Sequence, residues 1–156
     1  MSLPHHKLVA WQRADDLFIE IHQLTRKVFP PEEKYELSSQ LRRAAYSVPV
    51  NIVEGNARQY AKERFHFLNI ASASLAEVGY GLHAAHRLGY LLPARYDELE
   101  KKVRQVAAPL NGLMERYRGK DGLVGEFTSK GCLARRAVTR RSAIARGRKR
   151  RTRRRA

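Results

Sequence analysis

The sequence predicts an all-α protein: an antiparallel up-down-up-down four-helix bundle with a disordered basic C-terminal tail. Four stretches of about 20 to 27 residues repeat apolar side chains at the three- and four-residue spacing of one helix face. Short joints that contain proline or glycine separate these stretches, and short joints favour antiparallel neighbours. From Gly119 onward, glycine and arginine replace the apolar periodicity. We therefore assign residues 1–118 to the bundle and residues 119–156 to the tail.

The first helix is predicted from about Leu8 to Val28. Two successive prolines, Pro30 and Pro31, cannot continue a helix and therefore stop it. Its core stripe comprises Ala10, Ala14, Leu17, Phe18, Ile21, Leu24 and Val28. Trp11, near the start, is interpreted as an amphipathic anchor at the end of the bundle, with a stacking platform as the alternative.

The second helix is predicted from about Tyr35 to Asn56, and Pro49 should kink it rather than end it. Its apolar side comprises Leu37, Leu41, Ala44, Ala45, Val48 and Ile52. Its opposite side is a polar line of Arg43, Ser47, Asn51, Glu54 and Arg58. Such a line is either a solvated face or a network that needs a partner.

The third helix, from about Lys62 to Leu88, is apolar or small-residued on more than one side. Its core stripe comprises Phe65, Leu68, Ala71, Ser72, Leu75, Val78, Leu82 and Ala85. Its other side mixes His66 and Glu77 with Ile70, Ala73, Tyr80, Gly81 and Ala84. A helix of this kind is buried on more than one side, so we expect a second protein chain to cover Ile70 and Tyr80.

The fourth helix is predicted from about Ala94 to Arg118, and Pro109 should bend it. Its apolar residues alternate three and four apart, which is the spacing of a heptad seam. They are Tyr96, Leu99, Val103, Val106, Leu110, Leu113 and Tyr117.

Positive charge is concentrated in the tail. Residues 1–118 carry 17 Lys/Arg and 13 Asp/Glu, whereas residues 119–156 carry 14 and 2. The last basic run contains Arg148, Lys149, Arg150, Arg151, Arg153, Arg154 and Arg155. Such a run repels itself and has little to bury, so we expect it to be disordered alone. Its forked arginine donors predict electrostatic binding of phosphates without sequence preference, with a merely solvated tail as the alternative.

The compartment is predicted from three absences. A single cysteine, Cys132, excludes an intramolecular disulfide framework. No apolar run approaches the roughly 20 residues needed to span a bilayer. The first residues lack the apolar core of a signal peptide. We therefore expect a cytoplasmic protein with no membrane partner.

Glu54 and Glu77 are the strongest candidates for chemistry, because paired carboxylates can transfer protons or hold a metal. The sequence offers no nucleophile nearby, no phosphate-cradling glycine loop, and no third and fourth ligand in register. We favour a paired polar network with Asn51 and the nearby arginines at a subunit contact. A role facing nucleic acid or a ligand is the second alternative, and catalysis is the third. His83 and His86 are interpreted as surface or interface side chains, so no enzymatic activity, cofactor or metal is expected.

One segment carries a family resemblance. Ser47 to Gly55, preceded by Gln40-Leu41-Arg42-Arg43-Ala44, resembles the signature of bacterial four-helix-bundle proteins related to the 23S rRNA intervening-sequence protein. The resemblance spans roughly residues 7–118. A similar bundle, the accessory variability determinant of diversity-generating retroelements, is a basic pentamer that partners a reverse transcriptase and nucleic acid. The resemblance thus implies a homopentamer that contacts nucleic acid through Arg42, Arg43 and Arg58.

Together these features predict a non-enzymatic homo-oligomeric bundle that binds RNA or DNA, rRNA included, through its basic surface and tail. The alternative function is an oligomerisation scaffold for a protein partner, with no dedicated role in nucleic-acid binding.

Overall fold

A computed structural model describes residues 3–34 and 36–120 as a bundle of four α-helices. The helices are α1 (Val9–Lys27), α2 (Leu37–Ala57), α3 (Ala61–Arg87) and α4 (Pro93–Glu115). Short 3-10 turns, Pro4–Lys7 and Pro31–Lys34, precede α1 and α2. The described residues contain no strand. The predicted all-α fold is confirmed, whereas the prediction of a disordered tail falls on residues outside the described part, apart from Gly119 and Lys120.

The four helices form a ring around one core. Helix α1 packs on α2 and α4, and α3 packs on α2 and α4, so consecutive helices are antiparallel neighbours. Every helix contributes fully buried branched side chains, among them Ile21, Leu41, Ile52, Leu68, Leu82, Leu99 and Leu110. Burial of each such side chain stabilises the fold by about 1.5–3 kcal/mol relative to exposure. The predicted apolar periodicity therefore identifies the core correctly at these positions.

Val28 is an error in the predicted core of the first helix. The structure leaves Val28 47% exposed and buries Phe29 instead. Val28 is the C-cap of α1 and its N–H still bonds Leu24 O, so it keeps the helical spacing but lies at the exposed end of the helix. The Phe29 ring packs against the ring of Tyr90 with centroids 5.6 Å apart.

The prediction that Gly81 lies on the side of the third helix opposite its core stripe is wrong. Gly81 is buried against Leu41 of α2, and a Cβ atom built on it would lie 2.8 Å from Leu41 Cδ1. The absence of a side chain at Gly81 therefore allows α2 and α3 to approach closely.

Both internal prolines are accommodated within continuous helices, α2 through Pro49 and α4 through Pro109. Proline has no backbone N–H, so Pro109 cannot donate to the carbonyl of Gln105 four residues earlier. Arg13 of α1 supplies a donor instead, with its Nη1 atom 2.9 Å from Gln105 O. The carbonyl that loses its helical hydrogen bond to Pro109 thus accepts a hydrogen bond that links α4 to α1.

Glu33 links the start of α2 to the loop before α4. One carboxylate oxygen accepts a hydrogen bond from the backbone N–H of Leu37, at 3.1 Å, which satisfies a donor in the first turn of α2. The other accepts from the Tyr90 hydroxyl at 2.9 Å. This hydrogen bond to Glu33 raises the pKa of Tyr90, because ionised tyrosine could no longer donate it.

A cluster of charged residues joins α1 to α4. Glu20 accepts from Arg95 at 2.8 Å and from Lys102 at 2.7 Å. Glu98 also contacts both cations, and Lys102 Nζ lies 3.3 Å from its carboxylate. The hydrogen bond from Arg95, followed by that from Lys102, lowers the pKa of Glu98.

The close contact at Gly81 predicts opposite effects for two neighbouring glycines of α3. Gly81→Ala should lower the free energy of unfolding by about 1 kcal/mol, because the gain in helix propensity does not offset overpacking against buried Leu41. Gly79→Ala is the matched control, since a Cβ atom at Gly79 would have nothing within 4 Å of it. It should raise the free energy of unfolding by about 0.5–1 kcal/mol. Denaturant unfolding of both variants checks this, and an equal effect would contradict the assigned contact.

The Arg95–Glu98–Lys102 contacts predict a pH-dependent contribution to stability. The folded-state pKa of Glu98 is below its ordinary value, so its contribution is present above the unfolded pKa and is lost as pH falls through the folded pKa. Glu98→Gln should therefore lower the thermal midpoint at neutral pH, and its deficit relative to wild type should shrink as the pH falls below about 4.5. Thermal unfolding across pH 3 to 7 checks this, and a deficit that does not change with pH would contradict it.

Candidate nucleic-acid interface

Ser47 and Asn51, in the middle of the polar line on α2, form a hydrogen-bonded group with α3. The Asn51 side-chain amide donates to Ser47 O at 2.7 Å and to Ser47 Oγ at 2.9 Å. Ser74 of α3 donates to the same Ser47 hydroxyl at 2.9 Å. Ser74 is 9% exposed and the other two are half-buried. These three residues form a polar link between helices.

The charged members of the line stay in solvent. Arg43 and Glu54 are exposed on α2, and Glu77 is exposed on α3. None of the three makes a hydrogen bond or salt bridge with a described residue. The predicted network of paired acids and arginines is therefore not formed among the described residues, and its formation at a subunit contact stays a prediction.

The end of α2 carries a stacked cation. The Arg58 guanidinium lies 4.6 Å from the centroid of the Phe67 ring, a cation–π contact between the α2–α3 connection and α3. Arg64 Nε donates to Arg58 O at 2.7 Å, and Arg64 Nη1 donates to the Tyr117 hydroxyl at 3.1 Å. The position of Arg58 is therefore supported by α3 and by the segment after α4.

Sequence reasoning identified Arg58 but missed the residues around it. A pocket of about 430 Å³ is lined by Arg58, Lys62, Glu63, His66 and Phe67. Nearby in the chain, Tyr60 is 67% exposed. The signal in the sequence is the interleaving of aromatic and basic residues from position 58 to 67, a composition that suits stacking of bases and neutralisation of phosphates.

The three predicted bundle arginines are not brought together. Arg42 and Arg43 lie in the second turn of α2, whereas Arg58 follows its last turn. Sixteen residues of helix separate the two ends by about 24 Å. Arg42 is half-buried near the end of α1, while Arg43 is exposed. The candidate interface is thus a line of separate cations along α2.

Exposed apolar side chains on α3 form a second surface feature. Ile70, Ala73, Glu77 and Tyr80 are all exposed and are spaced three, four and three apart, so they share one helix face, which we call the α3 seam. Ile70 is 36% exposed and Tyr80 71% exposed. The predicted outward position of Ile70 and Tyr80 agrees with the structure, and their burial by another chain stays a prediction.

The comparisons with known proteins identify the family. A model of the 23S rRNA-intervening sequence protein family matches residues 6–112, a range that includes α1, α2, α3 and most of α4. The chain belongs to this family. A search of curated proteins found no match.

A solved structure supports the fold of this family member. It is the crystal structure of a protein of unknown function from the S23 ribosomal protein family of Bacteroides thetaiotaomicron. The two chains are 20% identical, and the match covers 69% of this chain and 99% of that chain with a TM-score of 0.64. At this level of identity the similarity extends to the fold alone.

In the protein described here, the segment that resembles the family signature lies at the contact between α2 and α3. Val48, Ile52 and Gly55 are buried there, and Ser47 and Asn51 provide the polar link. A Cβ atom at Gly55 would lie 3.2 Å from Phe67 Cβ. The structure thus explains most of the segment by helix packing and leaves Glu54 in solvent.

The histidines of α3 have structural partners. His86 Nδ1 lies 2.9 Å from Leu91 O, and the His86 ring stacks on Tyr96 with centroids 4.8 Å apart. His83 packs edge-on against the same tyrosine at 6.4 Å. Within the described residues, no three His, Cys, Asp or Glu side chains are grouped so as to hold a metal ion.

Two further predictions concern the basic run and the absence of a membrane partner, and the described residues bear on them only in part. The basic run from Arg148 to Arg155 lies outside the described residues. Among the helices that are described, none is long and apolar enough to cross a membrane.

Proposed function

We propose that this protein is a non-enzymatic homo-oligomeric bundle that binds RNA or DNA electrostatically. The observation that carries the proposal is the distribution of positive charge. Six salt bridges among the described residues each include a residue between positions 95 and 118. Arg43 and Arg58, on the other side of the bundle, have no acidic partner there. Unneutralised arginines attract phosphates and release their counterions on binding.

The segment after the bundle adds to this charge. Residues 119–156 contain 14 Lys/Arg and only 2 Asp/Glu. Such a composition favours binding to any polyanion, and its affinity depends steeply on salt. The arginine run from Arg148 to Arg155 and the arginines of α2 are proposed to act on the same nucleic acid.

The aromatic residues around Arg58 favour single-stranded or unpaired regions over a regular duplex. Phe67 and exposed Tyr60 offer ring faces on which bases stack, next to cations that neutralise the phosphates. The family name refers to 23S rRNA, which makes rRNA fragments the first nucleic acids to test. Binding is proposed to take place in the cytoplasm, without cofactor or metal.

The α3 seam supports the oligomeric part of the proposal. Its apolar side chains lie in water in the single chain, and a second copy of the chain would bury them. The resemblance to pentameric bundles makes a homopentamer the proposed assembly. Several copies would present several sets of arginines to one nucleic acid, and avidity would multiply their effect.

The same seam also favours the second candidate function, an oligomerisation scaffold for a protein partner. In that case the arginines of α2 are a solvated surface and nucleic acid is not the ligand. Absence of RNA and DNA binding by the full-length chain at moderate salt would support the scaffold over the nucleic-acid function.

Removal of the α2 arginines tests the proposed nucleic-acid surface. Arg43→Gln/Arg58→Gln in the full-length chain should weaken RNA binding and reduce the slope of log affinity against log salt by about 0.7 to 0.9 per lost phosphate contact. Arg87→Gln is the control, since Arg87 is exposed at the end of α3 and makes no hydrogen bond or salt bridge with a described residue. Fluorescence anisotropy across a salt series measures both quantities. An unchanged slope in the double variant would remove Arg43 and Arg58 from the interface.

The same assay distinguishes nucleic-acid binding by the basic run from binding by the bundle. Replacement of the cations from Arg148 to Arg155 with serine should also lower affinity and slope. If this variant loses all binding, the run is the binding element and the bundle sets its valency. If it retains a salt-dependent fraction that Arg43→Gln/Arg58→Gln abolishes, the bundle itself binds nucleic acid.

A charge placed in the α3 seam tests the oligomer. Ile70→Glu should dissociate the assembly, because burial of an unpaired carboxylate at a subunit contact is costly. Ile19→Glu is the matched control, since Ile19 is exposed to a similar degree on α1 at 47%. Sedimentation equilibrium measures the mass of both variants. An unchanged mass for Ile70→Glu would place the subunit contact elsewhere.

A further inference from the structure

A pocket of about 450 Å³ lies where the end of α1 meets the start of α2. Its volume is in the range of pockets that hold small ligands. His22 and Arg26 of α1 and Ser38 and Arg42 of α2 line it, and Phe29 provides part of an apolar wall. The pocket is at the opposite end of α2 from Arg58.

The charged residues that the structure describes in the lining of this pocket are all basic. Two arginines and a histidine line it, and none of the described lining residues is acidic. Arg26 is exposed and makes no hydrogen bond or salt bridge with a described residue. The lining therefore favours an anion, and arginine favours an anion with several oxygens in a fixed geometry.

Ser38 supplies an independent observation. Its side chain is 1% exposed, and its Oγ atom has no hydrogen-bond partner in the described part of the chain. Thr25, which lines the same pocket, differs because its hydroxyl is 3.0 Å from Ile21 O and 3.1 Å from His22 O. A buried hydroxyl without a partner costs folding free energy, so an apolar residue would serve the fold better at position 38.

We propose that the pocket binds the phosphate group of a phosphomonoester. Arg26 provides a forked donor for the phosphate oxygens, His22 and the Ser38 hydroxyl add further donors, and Arg42 adds positive charge to the lining. The apolar wall at Phe29 accommodates the group to which the phosphate is attached. The pocket shares Arg42 with the proposed nucleic-acid surface but does not rest on that function.

Inorganic phosphate and adenosine 5′-monophosphate are the probes for the full-length chain. Each should raise the thermal midpoint relative to chloride at equal ionic strength, because a ligand that binds the folded state stabilises it. Cations that bind phosphate equally in the folded and unfolded chain contribute no such shift. In Arg26→Gln/Arg42→Gln the apparent affinity should fall at least about tenfold. Arg87→Gln/Lys101→Gln removes the same charge from exposed positions outside the pocket and should leave the shift unchanged.

Ser38→Ala separates binding from folding. Without phosphate, this variant should unfold at the wild-type temperature or higher, since it removes the unpaired hydroxyl. Its affinity for phosphate should nevertheless fall several-fold. Retention of the wild-type phosphate shift, either by Arg26→Gln/Arg42→Gln or by Ser38→Ala, would overturn the proposal.

Matched RNA oligonucleotides with a 5′-phosphate or a 5′-hydroxyl identify the source of the phosphate. A preference for the 5′-phosphate that Arg26→Gln/Arg42→Gln abolishes supports the pocket as a site for RNA ends. A midpoint shift with adenosine 5′-monophosphate but no such preference supports it as a site for a small phosphorylated molecule. RNA binding without any phosphate shift overturns the pocket and leaves the nucleic-acid function standing. A phosphate shift without RNA binding does the reverse.

Discussion

The close packing of α2 on α3 is the constraint on which most of the described structure depends. Two glycines permit it near opposite ends of the contact. Gly81 leaves room for Leu41 near the start of α2, and Gly55 leaves room for Phe67 near its end. Between them, Ser47 and Ser74 are hydrogen-bonded across the interface. A side chain at either position would be too close to Leu41 or Phe67 unless these neighbours shift.

The charged groups divide between the two sides of the bundle for a related reason. Helix α4 is held to α1 by the Glu20 cluster and by the hydrogen bond from Arg13 to Gln105, so its cations Arg95 and Lys102 are occupied with structural partners. Helices α2 and α3 are held together by small residues and hydroxyls, which require no ion pairs. Arg43 and Arg58 consequently have no acidic partner among the described residues, and this division motivates the proposed interface.

The helices and most of the core could be predicted from the sequence, because apolar side chains recur every three to four residues and prolines or glycines mark the joints. The errors fall where this signal ends. Gly81 has no side chain, so its position in the pattern does not reveal whether it faces water or a neighbouring helix. Val28 keeps the spacing of the stripe as the C-cap of α1, but spacing does not reveal that the core has ended there. The candidate site was predicted only in part. Arg58 was identified from the sequence, but its stacking partner Phe67 was not, because Phe67 lies on the next helix. The pocket at Ser38 combines the end of one helix with the start of another, and no local pattern predicts that juxtaposition.

The position of the two cationic regions at opposite ends of α2 has a consequence for any ring of identical chains. Rotation about a single axis moves every atom at constant height along that axis. All copies of Arg58 therefore lie at one level of the ring, and all copies of Arg42 lie at one level of their own. Unless α2 is perpendicular to the axis, the two levels differ and the ring has two chemically distinct rims. One rim carries aromatic rings beside its cations, and the other carries the phosphate pockets, so such a particle has a direction even though its subunits are the same.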